Sequence, residues 1–399
     1  MIRFFYIAIA LLCLGCGSRK NFEPPASKIK GEFRFSKQLK DPITFTNRYG
    51  AILKNGSVID VEGITPLKLT KKMYKESSFL NQSQDYYILA EDCWRSHKQN
   101  GPKPKKTKNL KLTDKQAQQE IVENIESIDE QVVLYDRCHH LELVSTTPSA
   151  RPSILIPIDT YPLSASVQGK HLAVVMADNS ANIYDIPSRK LIFSEKGSST
   201  VAIDSLVAAP VFLDSVVVFP MLDGRLLVVD VSTDTPRVVR NIVINSEKFF
   251  NNVIYLKVDG ENMFAATTKR LVSVVSGQEF SYDADIVDVL YKDHHVYVLT
   301  LDGRILQMDR TLNEQSMGVV KLPFAMLTSL VVTDKKLYTL EKRGYLVEVD
   351  LAHFDDYRVY SIKNVSKSFF GGRLNKMNFY SKDKIYYDRF YVDFNQDAP

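Results

Sequence analysis

The chain has 399 residues, a formal net charge of +4 and a hydrophobic content of 45%. So small a positive charge does not indicate a nucleic-acid-binding protein, and the hydrophobic content is that of a chain with a large buried core. Beyond the first residues no apolar run is long enough to cross a bilayer, so we expect a globular body behind one N-terminal targeting segment.

The chain begins with MIRFFYIAIALLCLGCGSRK, which is typical of a bacterial secretory signal. Its apolar run, from Phe4 to Leu14, is too short to span a bilayer comfortably. The ending CLGC resembles the lipobox of bacterial lipoproteins, in which the cysteine that follows the cleavage site is acylated. The sequence therefore predicts a signal peptide over residues 1–15 and lipid attachment at Cys16. The alternative is an ordinary secretory signal with an incidental cysteine.

A lipid-anchored chain would be held at a membrane, because each buried CH₂ contributes about 0.8 kcal/mol and several acyl chains together anchor stably. By resemblance to the sorting rule of Gram-negative lipoproteins, Gly17 in place of aspartate favours the outer membrane and its periplasmic face. Residues 16–30 lack hydrophobic periodicity and contain two prolines, so we expect a tether there.

The region from residue 31 to about 145 shows weaker β patterns. Within 33–69, the stretch YGAILKNGSVIDVEG places Asn55-Gly56 between two apolar runs, which predicts a hairpin. Strand-like runs at 85–93 and 131–144 would form a second unit, split by an insertion at about 96–130.

The insertion divides into a basic part and a helical part. Residues 113–129 place apolar side chains on one helical face, with Thr113 or Asp114 as the cap, which predicts one amphipathic helix. The basic part, Ser96 to Leu112, is either a solvated loop or a contact for anionic lipid, wall polymer or an acidic protein. Its lysines are Lys98, Lys103, Lys105, Lys106, Lys108 and Lys111, and the apolar positions of the helix are Ala117, Ile121, Ile125 and Ile128.

Two cysteines remain after Cys13 and Cys16, namely Cys93 and Cys138, on either side of the insertion. In an oxidising compartment they would form a disulfide at its base or remain two separate buried thiols. Cys138 is followed by His139 and His140, but adjacent side chains of a strand point to opposite faces, so we predict no metal site.

From about residue 150 the chain repeats itself. LDGRLLVVD (222–230) returns as LDGRILQMD (301–309), and fainter copies are KRGYLVEVD (342–350), ADNSANIYD (177–185) and TKRLVSVV (268–275). Each copy is preceded by an apolar run and begins with a turn-like pair, so each predicts a β-hairpin. The copies end at Asp185, Asp230, Val275, Asp309 and Asp350, at intervals of 45, 45, 34 and 41 residues.

One further strand precedes and one follows each hairpin, so each unit has four short strands. Four strands in about 40–45 residues is the size of a propeller blade, and such sheets must stack around an axis to be buried. A closing copy lies at 374–394, and GEFRFSKQL (31–39) is available to complete the last blade. We therefore predict an all-β propeller over 31–394 with four-stranded antiparallel blades, eight being favoured over seven.

No catalytic pattern stands out. The sequence lacks G-x-S-x-G, H-E-x-x-H, P-loop and G-x-G-x-x-G motifs. His294 and His295 occupy a turn position of the repeat, so we expect both to be exposed. The aspartate that ends a copy is expected to accept a hydrogen bond in the following turn. We predict no catalytic residue.

The cores DGRLLVVD, DGRILQMD and RGYLVEVD resemble pyrroloquinoline-quinone-like propeller repeats. The quinone-binding enzymes of that superfamily add tryptophan motifs, vicinal cysteines and calcium, whereas this chain has one tryptophan, Trp94, and no vicinal cysteines. We therefore expect no cofactor and no enzyme activity.

A lipobox followed by one such propeller resembles the lipoprotein B subunit of the outer-membrane β-barrel assembly machinery. The resemblance implies a scaffold whose partner is the central barrel-assembly component or another outer-membrane protein complex. Two alternatives remain: a lipoprotein that binds a small ligand or a wall polymer in its axial channel, and an enzyme with convergent carboxylates or histidines at the channel mouth.

Overall fold

The computed structural model describes residues 21–70, 77–91, 140–147, 152–200, 206–247, 251–363, 374 and 376–399. The predicted signal peptide, Cys16, Cys93 and Cys138, His139, and the lysine-rich and helical insertion lie outside these residues. Between the described residues, hydrogen bonds link the strands into eight sheets arranged as an eight-bladed β-propeller, which confirms the predicted fold class and the larger blade number.

The strands follow one another around the ring, four to a blade in most blades. Two N-terminal strands, β1 (Ile29–Phe33) and β2 (Lys37–Gln38), precede blade 1, which comprises β3 (Ile43–Thr46), β4 (Gly50–Leu53), β5 (Ser57–Asp60) and β6 (Gly63–Lys68). Blade 2 comprises β7 (Ser77–Ser83), β8 (Tyr86–Glu91), β9 (His140–Ser145) and β10 (Ile154–Pro157). Blade 3 comprises β11 (Pro162–Gln168), β12 (His171–Met176), β13 (Ser180–Asp185) and β14 (Lys190–Lys196).

The second half of the ring repeats this order. Blade 4 comprises β15 (Val211–Leu213), β16 (Val216–Pro220), β17 (Arg225–Asp230) and β18 (Arg237–Val243). Blade 5 comprises β19 (Tyr255–Asp259), β20 (Asn262–Ala266), β21 (Arg270–Val275) and β22 (Gln278–Asp283). Blade 6 comprises β23 (Ile286–Lys292), β24 (His295–Thr300), β25 (Arg304–Asp309) and β26 (Gly318–Lys321). Blade 7 comprises β27 (Leu327–Val332), β28 (Lys336–Glu341), β29 (Tyr345–Asp350) and β30 (Tyr357–Ile362), and blade 8 β31 (Asn378–Ser381), β32 (Lys384–Tyr387) and β33 (Phe390–Asp393). Two short 3-10 helices span Ala26–Lys28 and Glu314–Ser316.

Each blade buries both faces between its neighbours. In β17 of blade 4, Leu227 packs in a cluster with Ala173 of blade 3, whereas the adjacent Leu226 packs in a cluster with Ala265 of blade 5. Strand alternation therefore supplies apolar side chains to both neighbouring blades, and the core is a ring of interblade clusters rather than one central core.

The predicted hairpin turns are formed as the repeats indicate. Gly303, in the turn between β24 and β25, has φ +82°. An added Cβ at this position would clash with the carbonyl oxygen of Leu322, whose own amide donates to the Gly303 carbonyl at 2.9 Å. Glycine at position 303 is therefore required both by the backbone conformation and by the close approach of the next connection.

The N-terminal segment closes the ring with two strands. β2 pairs antiparallel with β33 and becomes the fourth strand of blade 8, inside the segment 31–39 that the sequence made available for this purpose. β1 adds a fifth strand to blade 7 by pairing parallel with β30, an arrangement that the sequence did not predict. Phe33, the last residue of β1, and Phe35, between the two strands, are buried in the cluster shared by blades 7 and 8.

Ordered contacts begin before residue 30, where the expected tether ends. Phe22 is buried against blades 6 and 7 and meets the Tyr345 ring edge-on, with centroids 5.9 Å apart.

In blade 2, the sequence located β8 and β9 but not β7 or β10. The sequence SSFLNQS of β7 alternates too weakly in polarity to predict a strand, although its central residues are buried.

Candidate binding sites in the axial channel

The ring has two faces, defined by their turns. The top face carries the turns between the second and third strands of the blades, for example residues 177–179, 301–303 and 342–344, and the connections from one blade to the next. The bottom face carries the turns between first and second strands, for example residues 293–294 and 333–335. The first strand of each blade lines the central channel between the two faces.

An arginine of blade 1 crosses the channel to blade 6. Arg48 follows β3 and donates from Nη1 to Asp288 Oδ1 at 2.9 Å and from Nη2 to the Val289 carbonyl at 2.8 Å. The Tyr380 hydroxyl of blade 8 donates to the other oxygen of Asp288. The Asp288 side chain is 3% exposed and that of Arg48 14%, so blades 1, 6 and 8 meet at a buried ion pair, which we call the channel plug.

Tyrosines surround the Arg48 guanidinium. Its carbon lies 4.9 Å from the ring centroid of Tyr255, a cation–π distance. Burial alone would lower the pKa of Arg48, but the Asp288 carboxylate and the neighbouring tyrosines outweigh it and hold this pKa above its ordinary value. Burial also raises the pKa of Tyr255 to about 12. Arg48 is therefore charged and Tyr255 neutral throughout the physiological range.

The channel plug separates two cavities. Arg48, Asp288 and Tyr380 line both of them. The cavity at the bottom face has a volume of about 540 Å³ and is also lined by Tyr291 and Lys292, and the cavity at the top face, of about 290 Å³, reaches Lys342. The larger one has the size and the mixed aromatic and charged lining of a small-molecule site.

No local sequence pattern predicts the channel plug. Arg48 is a lone arginine in NRYG, and Asp288 and Tyr380 follow it by hundreds of residues. The nearest signal is Asp288 itself, a carboxylate between the apolar residues Val287 and Val289 of the inner strand β23.

The aspartates that end the repeats have the predicted role in turns. Asp185 accepts from the Ser188 amide at 2.9 Å and Asp230 from the Ser232 amide at 2.9 Å. Asp309 accepts from the Thr311 amide at 2.8 Å and Asp350 from the Ala352 amide at 2.9 Å. A hydrogen bond to the Lys336 ammonium lowers the pKa of Asp350 to about 2. These carboxylates belong to the turns and not to a shared site.

The two turn histidines are exposed, as predicted. His294 has φ +65° in the turn before β24, and His295 begins that strand. Among the residues that the structure describes, no group of three or more histidine, cysteine, aspartate or glutamate side chains is arranged to hold a metal ion. Nor does any helix of the described segments have the length and apolarity needed to cross a membrane.

The fold and the channel define the class of the protein: an eight-bladed propeller with a plugged axis. Among solved structures, BamB from Moraxella catarrhalis is similar with a TM-score of 0.55 and 12% identity, covering 88% of this chain and 94% of that one. The computationally designed Ika8 protein is similar with a TM-score of 0.51 and 11% identity, covering 90% and 96%. At such identities the similarity shows the fold alone, and it agrees with the resemblance expected from the repeats.

Sequence comparison gives a nearer relationship. Plasminogen-binding protein PgbB of Helicobacter pylori strain J99 is 52% identical over 402 residues, covering 99% of this chain and 72% of the relative. PgbB of strain 26695 is also 52% identical and is covered to 71%. The chain therefore belongs to the PgbB family. No family model matches the chain.

Proposed function

We propose that this chain is a non-enzymatic, lipid-anchored propeller that binds a protein partner, and that the partner is plasminogen. The observation that carries the proposal is the 52% identity to two proteins named for plasminogen binding, which extends over 99% of the chain. Because the alignment with these relatives runs through all eight blades, it supports a binding surface at the same place on the ring in this chain and in the relatives. The protein-binding role also agrees with the scaffold function expected from the repeats.

Binding is tested with the purified chain, from residue 21 onward, immobilised on a sensor surface with plasminogen as the analyte. We expect saturable binding that a heat-unfolded sample of the same chain loses. Absence of saturable binding by the folded chain would refute the plasminogen proposal.

Participation in outer-membrane β-barrel assembly is the second candidate, favoured by the propeller similarity to BamB and by the lipobox. It is tested by crosslinking in intact cells, purification of the lipidated protein and mass spectrometry of its partners. Recovery of the barrel-assembly component would support it, and a different stable complex would exclude it.

The two candidates require opposite sides of the outer membrane. A partner in barrel assembly is reached from the periplasmic face of the outer membrane. Plasminogen added to intact cells reaches only the outer surface. Protease treatment of intact cells separates the two, because only a surface-displayed propeller would be digested.

Anchoring itself is tested by labelling with a fatty acid: we expect label on the native protein and none on Cys16→Ala.

The larger axial cavity favours a third candidate, binding of a small ligand or wall polymer. A ligand that binds the folded chain raises its melting temperature, by an amount that grows with the logarithm of the ratio of ligand concentration to Kd. Fragments of wall polymer that leave the melting temperature unchanged at millimolar concentration would exclude the wall polymer as the ligand.

A further inference from the structure

Within the part of the chain that the structure describes, large apolar side chains are exposed on the top face only at blades 6 to 8. There Leu301 is 69% exposed, Phe324 54%, Met326 49% and Met377 46%, and we call these four residues the apolar patch. The other large exposed apolar side chains of the described residues all lie on outer strands at the rim: Ile29, Ile64, Leu155, Leu191, Val238, Val239 and Val243. Exposed apolar side chains that gather on one face mark interaction sites more often than scattered single residues do.

Backbone hydrogen bonds hold the loops of the patch together. The connection from blade 6 to blade 7, residues 322–326, is fixed to the turn of Leu301 by the Leu322 amide, which donates to Gly303 at 2.9 Å. It is fixed to the next turn by the Lys342 amide, which donates to Met326 at 3.0 Å. The patch is thus a surface presented by ordered, interlocked loops, which lowers the entropy lost on binding.

Phe324 adopts a backbone conformation that costs energy. Its φ is +67°, in the left-handed region, where a residue with a Cβ is destabilised by about 1–2 kcal/mol. The conformation is maintained by the Ala325 amide, which donates to the Leu322 carbonyl at 3.0 Å. Glycine or asparagine would fit this turn at lower cost, so a strained, half-exposed phenylalanine points to a function of its side chain rather than to folding.

The charges around the patch are mainly positive. Lys321, Lys342 and Lys376 are exposed, and none of them takes part in an ion pair with a described carboxylate. Of the nearby acidic groups, Asp302 is paired with Arg304 at 2.8 Å, Glu341 is fully buried, and the half-buried Asp388, whose amide donates to the Met377 carbonyl at 3.0 Å, makes no ion pair with a described cation. Lys342 and Lys376 also line a cavity of about 380 Å³ between blades 7 and 8. Anionic groups of a partner would therefore meet uncompensated cations around an apolar centre.

We propose that the apolar patch and its three lysines form the docking face for the protein partner, and that they bind a segment of that partner that combines apolar and acidic side chains. Apolar side chains would pack on Phe324 and Met326, and carboxylates would pair with Lys342 and Lys376. This inference rests on the proposed function, because it assigns a surface to the binding of plasminogen.

The apolar contribution is tested with the double variant Phe324→Ala/Met326→Ala. The matched control is Leu191→Ala/Val239→Ala, whose side chains are similarly exposed, 48% and 49%, but lie at the rim of blades 3 and 4. With plasminogen as the analyte, we expect the patch variant to bind at least tenfold more weakly and the control to stay within twofold of the unsubstituted chain. Equal affinities of the two variants would overturn the proposal.

The charges are tested by Lys342→Glu/Lys376→Glu against Lys190→Glu/Lys257→Glu, which changes the net charge equally at exposed positions away from the patch. We expect at least a tenfold loss for the first pair and a much smaller loss for the second, and a binding constant that falls with added salt. Similar losses for both pairs would show a response to net charge and would contradict the docking face.

The outcomes separate the two levels of the proposal. If the unsubstituted chain does not bind plasminogen, the proposed function fails and this inference fails with it. If that chain binds and the patch variants bind equally well, only the docking face is wrong. Sedimentation of the chain alone completes the test: a dimer that the patch variant loses would show that a second copy covers the patch and would also overturn the inference.

Discussion

Arg48 and Asp288 place opposite charges in the middle of the ring, where each depends on the other. A buried ion pair contributes little compared with a well-packed apolar pair, but loss of one partner leaves an uncompensated charge. The Asp288 carboxylate would keep only the Tyr380 hydroxyl and the Val289 amide, which donates at 2.8 Å. The channel plug therefore fixes the mutual orientation of blades 1, 6 and 8.

We predict that Arg48→Ala lowers the free energy of unfolding by about 3–5 kcal/mol, because Asp288 would stay buried without its counter-ion. The control is Arg34→Ala, whose side chain is 70% exposed and lies 3.8 Å from Glu32, and which should change stability by less than about 1 kcal/mol. Urea unfolding of both variants makes the comparison. Losses of the same size would show that the channel plug has no structural role.

Glu341 is a buried carboxyl beneath the docking face. Its oxygens accept from the Arg343 amide at 2.8 Å and the Met326 amide at 3.4 Å, but burial dominates and raises its pKa to about 7. The folded chain thus holds this proton to higher pH than the unfolded chain, whose ordinary value is 4.5. The stability contributed by this carboxyl is present below about pH 4.5 and is lost as pH rises to about 7.

We predict that Glu341→Gln removes this dependence. The loss in the unsubstituted chain between pH 4.5 and 8 is on the order of 3 kcal/mol from this group. Urea unfolding at several pH values should give a difference between variant and unsubstituted chain that grows with pH and levels off above about pH 7. A difference that does not change with pH would contradict the assignment.

Among the elements, the hairpin turns are the ones that the sequence predicts most clearly. Gly303 combines a left-handed backbone with the close approach of Leu322, whereas Gly277 has φ +78° and nothing within 4 Å of an added Cβ. We predict that Gly277→Ala costs about 1 kcal/mol, the conformational penalty alone, and that Gly303→Ala costs about 1–3 kcal/mol more because of the clash. Thermal unfolding measures both. Equal costs would mean that the connection at Leu322 moves aside.

The closing segment is the second element with a measurable role. Phe35 is 5% exposed and stacks on Tyr387 of blade 8, with ring centroids 6.0 Å apart. We predict that Phe35→Ala costs about 3–5 kcal/mol, as for other large-to-small substitutions in cores, and that Ile29→Ala, at a side chain 45% exposed, costs far less. A small effect of Phe35→Ala would show that the ring stays closed without this contact.

The sequence predicted those elements whose determinants are local. Asp223-Gly224 and Asp302-Gly303 identified their hairpins, the terminal aspartates identified the following turns, and the period identified the blades. The parallel pairing of β1 with β30 was not predictable, because no turn joins the two strands and nothing in IKGEF selects a partner. The channel plug was missed for the same physical reason, since its three side chains come together only when the ring closes.

At the scale of the whole molecule, the weakly similar repeats fold into a ring that has two different surfaces. The rim presents outer strands with scattered apolar side chains, whereas the top face at blades 6 to 8 carries four exposed apolar side chains beside lysines that make no ion pair with a described carboxylate. The added strands β1 and β2 lie in blades 7 and 8, two of the three blades that carry this face. The proposed binding of plasminogen and the position of this face together form the central claim.

Hydrogen–deuterium exchange of the chain with and without saturating plasminogen tests that claim most directly. We predict slower exchange on binding in residues 301–303, 322–326, 342–344 and 376–378, with little change at the rim strands of blades 3 and 4. Saturable binding with protection confined to other blades, or to the bottom face, would contradict the docking face while leaving the binding function in place.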